Sequence, residues 1–325
     1  MPVFEPKERS IPAAAGSPKE SRHLAIATHS LRKVFGDKVA VRGLTLQVRR
    51  GEVFGFLGPN GAGKSTSLKM LLGLVAPSGG SAQLLGQPIG DTETRRKVGF
   101  LPEHFRFYDW LTASELLHLH GRLYGIPAVR LRERVLATLE LVGLTPHSNK
   151  QLRHFSKGML QRIGLAQAVI NNPELLFLDE PTSGLDPVGR RLVRDVIKAQ
   201  RERGTTVFLN SHLLSEVEVI CDRVAFIRAG EVIELREMSS FEEGRTRVMA
   251  RVKNIGPKEL TGLRTWADEI GIEGEHLRMD LRSSDLAPHV LRYLVAGGAE
   301  VFEFTPSRLS LEDRFMQILG LDEGF

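Results

Sequence analysis

The stretch Gly58-Pro59-Asn60-Gly61-Ala62-Gly63-Lys64-Ser65-Thr66 follows the apolar run Val53 to Leu57 and gathers residue types that hold a phosphate. It fits the spacing G-x-x-x-x-G-K-[ST] of phosphate-cradling loops. The glycines let the backbone curl until successive N–H groups face phosphate oxygens, and the helix that follows contributes its positive end. Lys64 is placed to neutralise β- and γ-phosphate charge, and the Ser65 hydroxyl to ligate magnesium. Kinases, GTPases, nucleic-acid motors and transporters all use such a loop, so it names a ligand class and no employer.

A second group is Leu175-Leu176-Phe177-Leu178-Asp179-Glu180, an apolar strand ending in two carboxylates. At that end of a buried strand Asp179 can hold magnesium, directly or through water. Glu180 can orient or deprotonate an attacking water.

A third stretch separates the employers. "FSKGMLQRIGLAQAVINNPELLFLDEPTSGLDPVGRR", Phe155 to Arg191, resembles the segment of ATP-binding-cassette (ABC) ATPases that runs from the signature motif past the magnesium-binding strand. The family's usual Leu-Ser-Gly-Gly-Gln stands here as Phe155-Ser156-Lys157-Gly158-Met159, retaining Ser156 and Gly158. Ser156 precedes a helix start, where a hydroxyl and unpaired N–H groups face an anion. The resemblance implies that this anion is the γ-phosphate of ATP on a second copy, so that a homodimer sandwiches two nucleotides.

Further positions follow the family's order. Ser183-Gly184-Leu185-Asp186 resembles the loop between the two subunits, His212 the switch histidine at the γ-phosphate, and Phe35 the aromatic that stacks on adenine. Glu103, in "VGFLPEHF", stands where many members carry a glutamine that touches magnesium; a carboxylate can also ligate a hard cation. Glu103 and Lys157 are departures found among exporter ATPases encoded apart from their permease. The resemblance implies ATP and Mg2+ as cofactors, ATP hydrolysis as the activity and a separate transmembrane permease as partner. It covers about Ala25 to Arg236.

The elements that must position these residues read as an α/β fold, a P-loop ATPase core. Alternation over Leu24 to Leu31 and Val39 to Val48, around Gly36-Asp37, predicts an antiparallel hairpin. The short β-rich runs Leu175 to Leu178 and Thr205 to Leu209 predict a buried, largely parallel sheet. Between about 104 and 172 the period turns helical: Thr112-Ala113-Ser114-Glu115 is a capping box, and a helix from Lys157 places Met159, Ile163, Ala166 and Ile170 on one face. After Leu235 strand-like and helix-like stretches alternate, with "PKELTGLRTWADEI" as one helix, which predicts a small α/β accessory domain over 240–325. "SLEDRFMQIL" is its closing helix, capped by Ser310 with Asp313 at the third position.

Composition sets the outer limits. The chain has 325 residues, 42% hydrophobic and 26% charged, with a net charge of +5. No apolar run approaches the roughly 20 residues that cross a bilayer. Residues 1–23 read as a disordered leader with no apolar core of a signal peptide. The chain is expected in the cytoplasm, peripheral on the membrane's inner face. Cys221, the one cysteine, permits no internal disulfide and reads as a small buried apolar group. The basic residues are scattered, so no direct nucleic-acid partner is expected. Two other readings remain: a non-transport ABC ATPase acting on ribosome or nucleic acid, and a small-molecule kinase using the phosphate loop alone.

Overall fold

The computed structural model describes residues 23–239 and 246–308, with Leu311, Glu312 and Phe315. Most of the leader and most of the closing helix, including Ser310 and Asp313, lie outside the described residues. The chain divides into two compact units, one up to Leu235 and one from Arg236.

The first unit opens with β1 (Leu24–Phe35) and β2 (Lys38–Arg49), antiparallel, with Phe35 opposite Lys38 across the Gly36-Asp37 turn. Then come β3 (Val53–Leu57), α1 (Lys64–Leu71), β4 (Gly79–Leu84), β5 (Gln87–Pro88), α2 (Thr92–Arg96) and β6 (Val98–Leu101). Three helices follow: α3 (Ala113–Leu123), α4 (Ala128–Leu141) and α5 (Lys157–Val169). The unit continues through β7 (Leu175–Asp179), α6 (Pro187–Glu202), β8 (Thr206–Asn210), α7 (Leu214–Ile220), β9 (Arg223–Arg228) and β10 (Glu231–Glu237), which runs past Leu235. One sheet has the order β2-β1-β4-β5, the other β10-β9-β3-β8-β7-β6, with β9 to β6 paired in parallel.

Every residue of β3, β7 and β8 is buried, because helices cover both faces of a parallel sheet and no alternation can survive there. Phe208 anchors that core, its ring centroid 5.8 Å from Phe54, 5.0 Å from Phe56 and 5.4 Å from Phe177. Burying each such ring is worth about 1.5–3 kcal/mol. The strands that end at the phosphate loop and the carboxylates are thus buried along their whole length.

The helical stretch is closed by its own polar groups. Thr112 accepts from Glu115 N at 3.2 Å and its N–H donates to Glu115 Oε2 at 2.8 Å, the reciprocal cap expected from sequence. Arg134 of α4 donates to the carbonyls of Ile170 (2.7 Å) and Val169 (2.6 Å), satisfying the end of α5.

The second unit contains β11 (Thr246–Lys253), α8 (Pro257–Leu263), β12 (Ala267–Glu273), β13 (His276–Leu281), α9 (Ala287–Ala296) and β14 (Glu300–Arg308). Its sheet, order β12-β13-β11-β14, is antiparallel, and Val248, Leu277, Met279, Leu281, Leu263, Val290 and Leu294 form its core. The stretch expected as one helix from Pro257 ends at Leu263 instead. Beyond it Ala267–Glu273 pairs with β13, and pairing overrides the helical propensity of "WADEI". No described helix is long and apolar enough to cross a membrane.

Candidate functional site

The phosphate loop leaves β3 and turns into α1, whose N-cap is Gly63 at φ 97°. An added Cβ on Gly63 would lie 2.7 Å from the Ala40 carbonyl oxygen, and one on Gly58 would lie 2.5 Å from that of Ile227. At Gly63 the left-handed backbone and the close neighbours together require glycine; at Gly58 the close neighbours alone do. Gly230 N donates to Ala62 O at 2.7 Å, so the turn between β9 and β10 props the loop from behind. Asn60, Gly61 and Ser65 are exposed, Pro59 and Thr66 half-buried. Lys64 is buried and its ammonium donates to Gly58 O (2.7 Å) and Pro59 O (3.2 Å). Burial holds its pKa below the ordinary lysine value, opposed by the charges of Glu180, Asp179 and Glu103.

The two carboxylates sit at the end of β7 beside β8. Asn210 Nδ2 donates to Asp179 Oδ1, and Glu180 N donates to Asn210 O at 2.8 Å. Glu180 takes φ 52°, in the left-handed region, which turns its side chain out of strand register toward His212. His212 Nδ1 lies 2.6 Å from Glu180 Oε2. Burial pushes both carboxyls above the usual range; Asn210 opposes this at Asp179 and His212 opposes it at Glu180. Glu103 is exposed in the loop after β6, and its charge acts on Asp179 and Lys64. Lys64, Asp179, Glu180, His212 and Glu103 therefore form one electrostatic cluster.

Ser156, Gly158 and Asp186 form a second group. Ser156 Oγ accepts from Met159 N at 3.3 Å as the N-cap of α5, and Asp186 Oδ1 accepts from Gly189 N at 2.7 Å as the N-cap of α6. Gln161 Nε2 donates to Pro181 O at 2.9 Å, docking α5 on the loop after β7. The Lys157 side chain lies over Gly184, and all three residues line a recess with Gly184 and Leu185. Phe35 is 49% exposed at the end of β1, with Lys33 Nζ 4.8 Å from its ring centroid.

Sequence reading missed Asn210 and Gly230. Asn210 ends the apolar run "TVFL" and lies opposite Asp179 in the β7–β8 register. That polar strand end was a signal, readable only once the strand neighbours are known. Cys221 is buried, and desolvation pushes its thiol up, as its apolar setting suggested.

A family profile described as ABC transporter matches residues 41–183. An uncharacterised ABC transporter ATP-binding protein of Synechocystis sp. is 41% identical over 324 residues, 95% of this chain and 89% of that protein. The Nod factor export ATP-binding protein I of Rhizobium sp. is 35% identical over 91% of this chain and 97% of its own length. Among solved structures, a dimeric ATP-binding cassette in a post-hydrolysis state bound to ADP and Pi superposes with a TM-score of 0.60. It is 27% identical, covering 66% of this chain and 98% of that one. A phosphate loop, a paired carboxylate and histidine, and full-length relatives of this kind agree: the chain belongs to the ATP-binding subunits of ABC transporters and is an ATPase.

Proposed function

We propose that the chain works as a homodimer closed around two ATP molecules, driving a separate transmembrane permease that exports its cargo. The observation that carries this reading is Glu180 held 2.6 Å from His212 beside Asp179 and Lys64, the arrangement of a base poised at a phosphate site. The Ser156, Gly158 and Asp186 group is the half-site offered to the partner copy's nucleotide. Phe35, exposed, stacks on adenine. The relative named for Nod factor export supports the direction of transport. Residence on the inner membrane face follows from the permease.

The donor set suits magnesium. Among the described residues no group of three or more His, Cys, Asp or Glu could hold a metal ion by itself. Ser65 is exposed and Asp179 keeps one carboxylate oxygen free of Asn210, a sparse set that matches an ion retaining waters and taking phosphate oxygens. Ser65 and Asp179 would hold it, with Glu103 alongside; the ion would neutralise charge on the phosphates.

His212 opposes the rise that burial imposes on the Glu180 pKa. Turnover requires the carboxylate, so it falls as pH drops through a pKa that burial has raised and His212 has partly restored. Replacing His212→Ala removes the lowering influence. The acid limb of the pH–rate profile should therefore move to higher pH, and an unmoved limb would remove His212 from this role.

The permease is tested by affinity purification of tagged Glu180→Gln protein from solubilised native membranes with ATP and magnesium, followed by mass spectrometry. A polytopic membrane protein is the expected companion. Ribosomal or DNA-bound proteins in its place would overturn the transport reading.

A further inference from the structure

β8 is buried along its whole length, and Asn210, 1% exposed, places a side-chain amide directly after the apolar run Val207-Phe208-Leu209. An amide sealed from water costs free energy that an apolar side chain would not, unless its hydrogen bonds are made. Asn210 makes only part of its set. Its Nδ2 donates to Asp179 Oδ1, while its own Oδ1 is buried with no hydrogen-bond partner. The orphaned oxygen does nothing to hold the strand. Pairing of β8 with β7 uses the backbone, and the donation from Glu180 N to Asn210 O at 2.8 Å belongs to it. The one return on burying this side chain is therefore its bond to Asp179.

That bond treats the two oxygens of Asp179 differently. Oδ1 receives the amide, whereas Oδ2 carries no hydrogen bond and is not sealed from solvent. Asp179 is otherwise buried, 6% exposed. An amide held on Oδ1 fixes the plane of the carboxylate and weakens that oxygen as a second ligand. The distinction matters to a cation. Ca2+ readily takes both oxygens of one carboxylate, whereas Mg2+ demands near-octahedral geometry, takes few protein oxygens and keeps several waters.

We propose that Asn210 is a positioning residue that presents Asp179 as a one-oxygen ligand and so biases the nucleotide site toward Mg2+ over Ca2+. The inference rests on Asp179 holding the metal as proposed above. Ser65 and Glu103, the other oxygen donors assigned to the ion, make no hydrogen bond with Asn210, so its influence on the metal passes through Asp179.

Nucleotide binding by the full chain tests this, with a fluorescent, non-hydrolysable ATP analogue titrated in Mg2+, in Ca2+ and with both metals chelated. Parent and variant meet the same metal–nucleotide complexes in solution, so a change in preference belongs to the protein. Asn210→Leu keeps the branching of the side chain and the backbone bond to Glu180 N, and removes the donor. Its affinity in Mg2+ should fall on the order of 10-fold, the low end of what losing the support of a metal ligand costs, while affinity in Ca2+ and without metal stays within about twofold. The preference for Mg2+ then falls by nearly the same factor. An unchanged preference, or a loss that persists with the metals chelated, makes Asn210 a packing residue and overturns the selectivity role alone. A parent chain that binds the analogue equally in Mg2+, in Ca2+ and in chelator overturns it together with the magnesium site proposed above. Should Asn210→Leu fail to fold with Asp179 Oδ1 left unpaired, Asn210→Val, smaller and suited to a strand, also removes the donor and must show the same change in preference.

Discussion

Glu180→Gln should bind ATP normally and hydrolyse it about 1000-fold more slowly, within the ~10²–10⁴ that a positioned base contributes. The change corresponds to a barrier raised by about 4 kcal/mol. The substitution isolates the proton acceptor because it alters little else: glutamine has the same shape beyond Cβ, and the strain of φ 52° is unchanged. Its amide oxygen can still accept from His212 Nδ1, so the loop after β8 keeps its anchor. What disappears is the group able to take a proton from water. Phosphate release in steady state, set beside titration with a fluorescent ATP analogue, separates the two effects. Turnover within about tenfold of the parent would show that another group takes that proton.

Gly63→Ala should lose both nucleotide affinity and stability. At φ 97° any Cβ is strained by about 1–3 kcal/mol, and here it would also press on the Ala40 carbonyl oxygen at 2.7 Å and on Val41 Cγ2 at 3.2 Å. Relief requires the loop to shift away from β2, which moves the first turn of α1 and with it Lys64. We expect ATP affinity to fall more than about 100-fold, since the N–H cradle and the lysine act as one site. The melting temperature should fall by roughly 2–4 °C per kcal/mol of strain retained. Gly61→Ala is the control: φ is 81°, but nothing lies within 4 Å of its added Cβ. It carries the conformational cost without the clash, so a thermal melt and nucleotide titration that treat the two variants alike would refute the steric account.

What was legible in the sequence was local. The Gly36-Asp37 hairpin, the Thr112 capping box and the strand–loop–helix around Lys64 each depend on residues a few places apart, and each stands as expected. β12 was misread because its extended state is set by β13, a partner that local propensity cannot see. The same holds within the site. Glu180 and His212 could be singled out by motif order, yet their 2.6 Å contact depends on β7 lying beside β8. Asn210 and Gly230 owe their roles entirely to such neighbours, 31 and 168 positions away.

The left-handed backbone at Glu180 has an evolutionary side. An L side chain there costs about 1–2 kcal/mol that glycine would not, and burial of its carboxyl adds to the burden. A selection for heat resistance blind to turnover would drift toward Glu180→Gly and arrive at a sturdier, inert protein. With Glu180 in the role proposed for it, hydrolysis is what such a selection would discard, so thermostability screens on this chain should carry an activity gate from the first round.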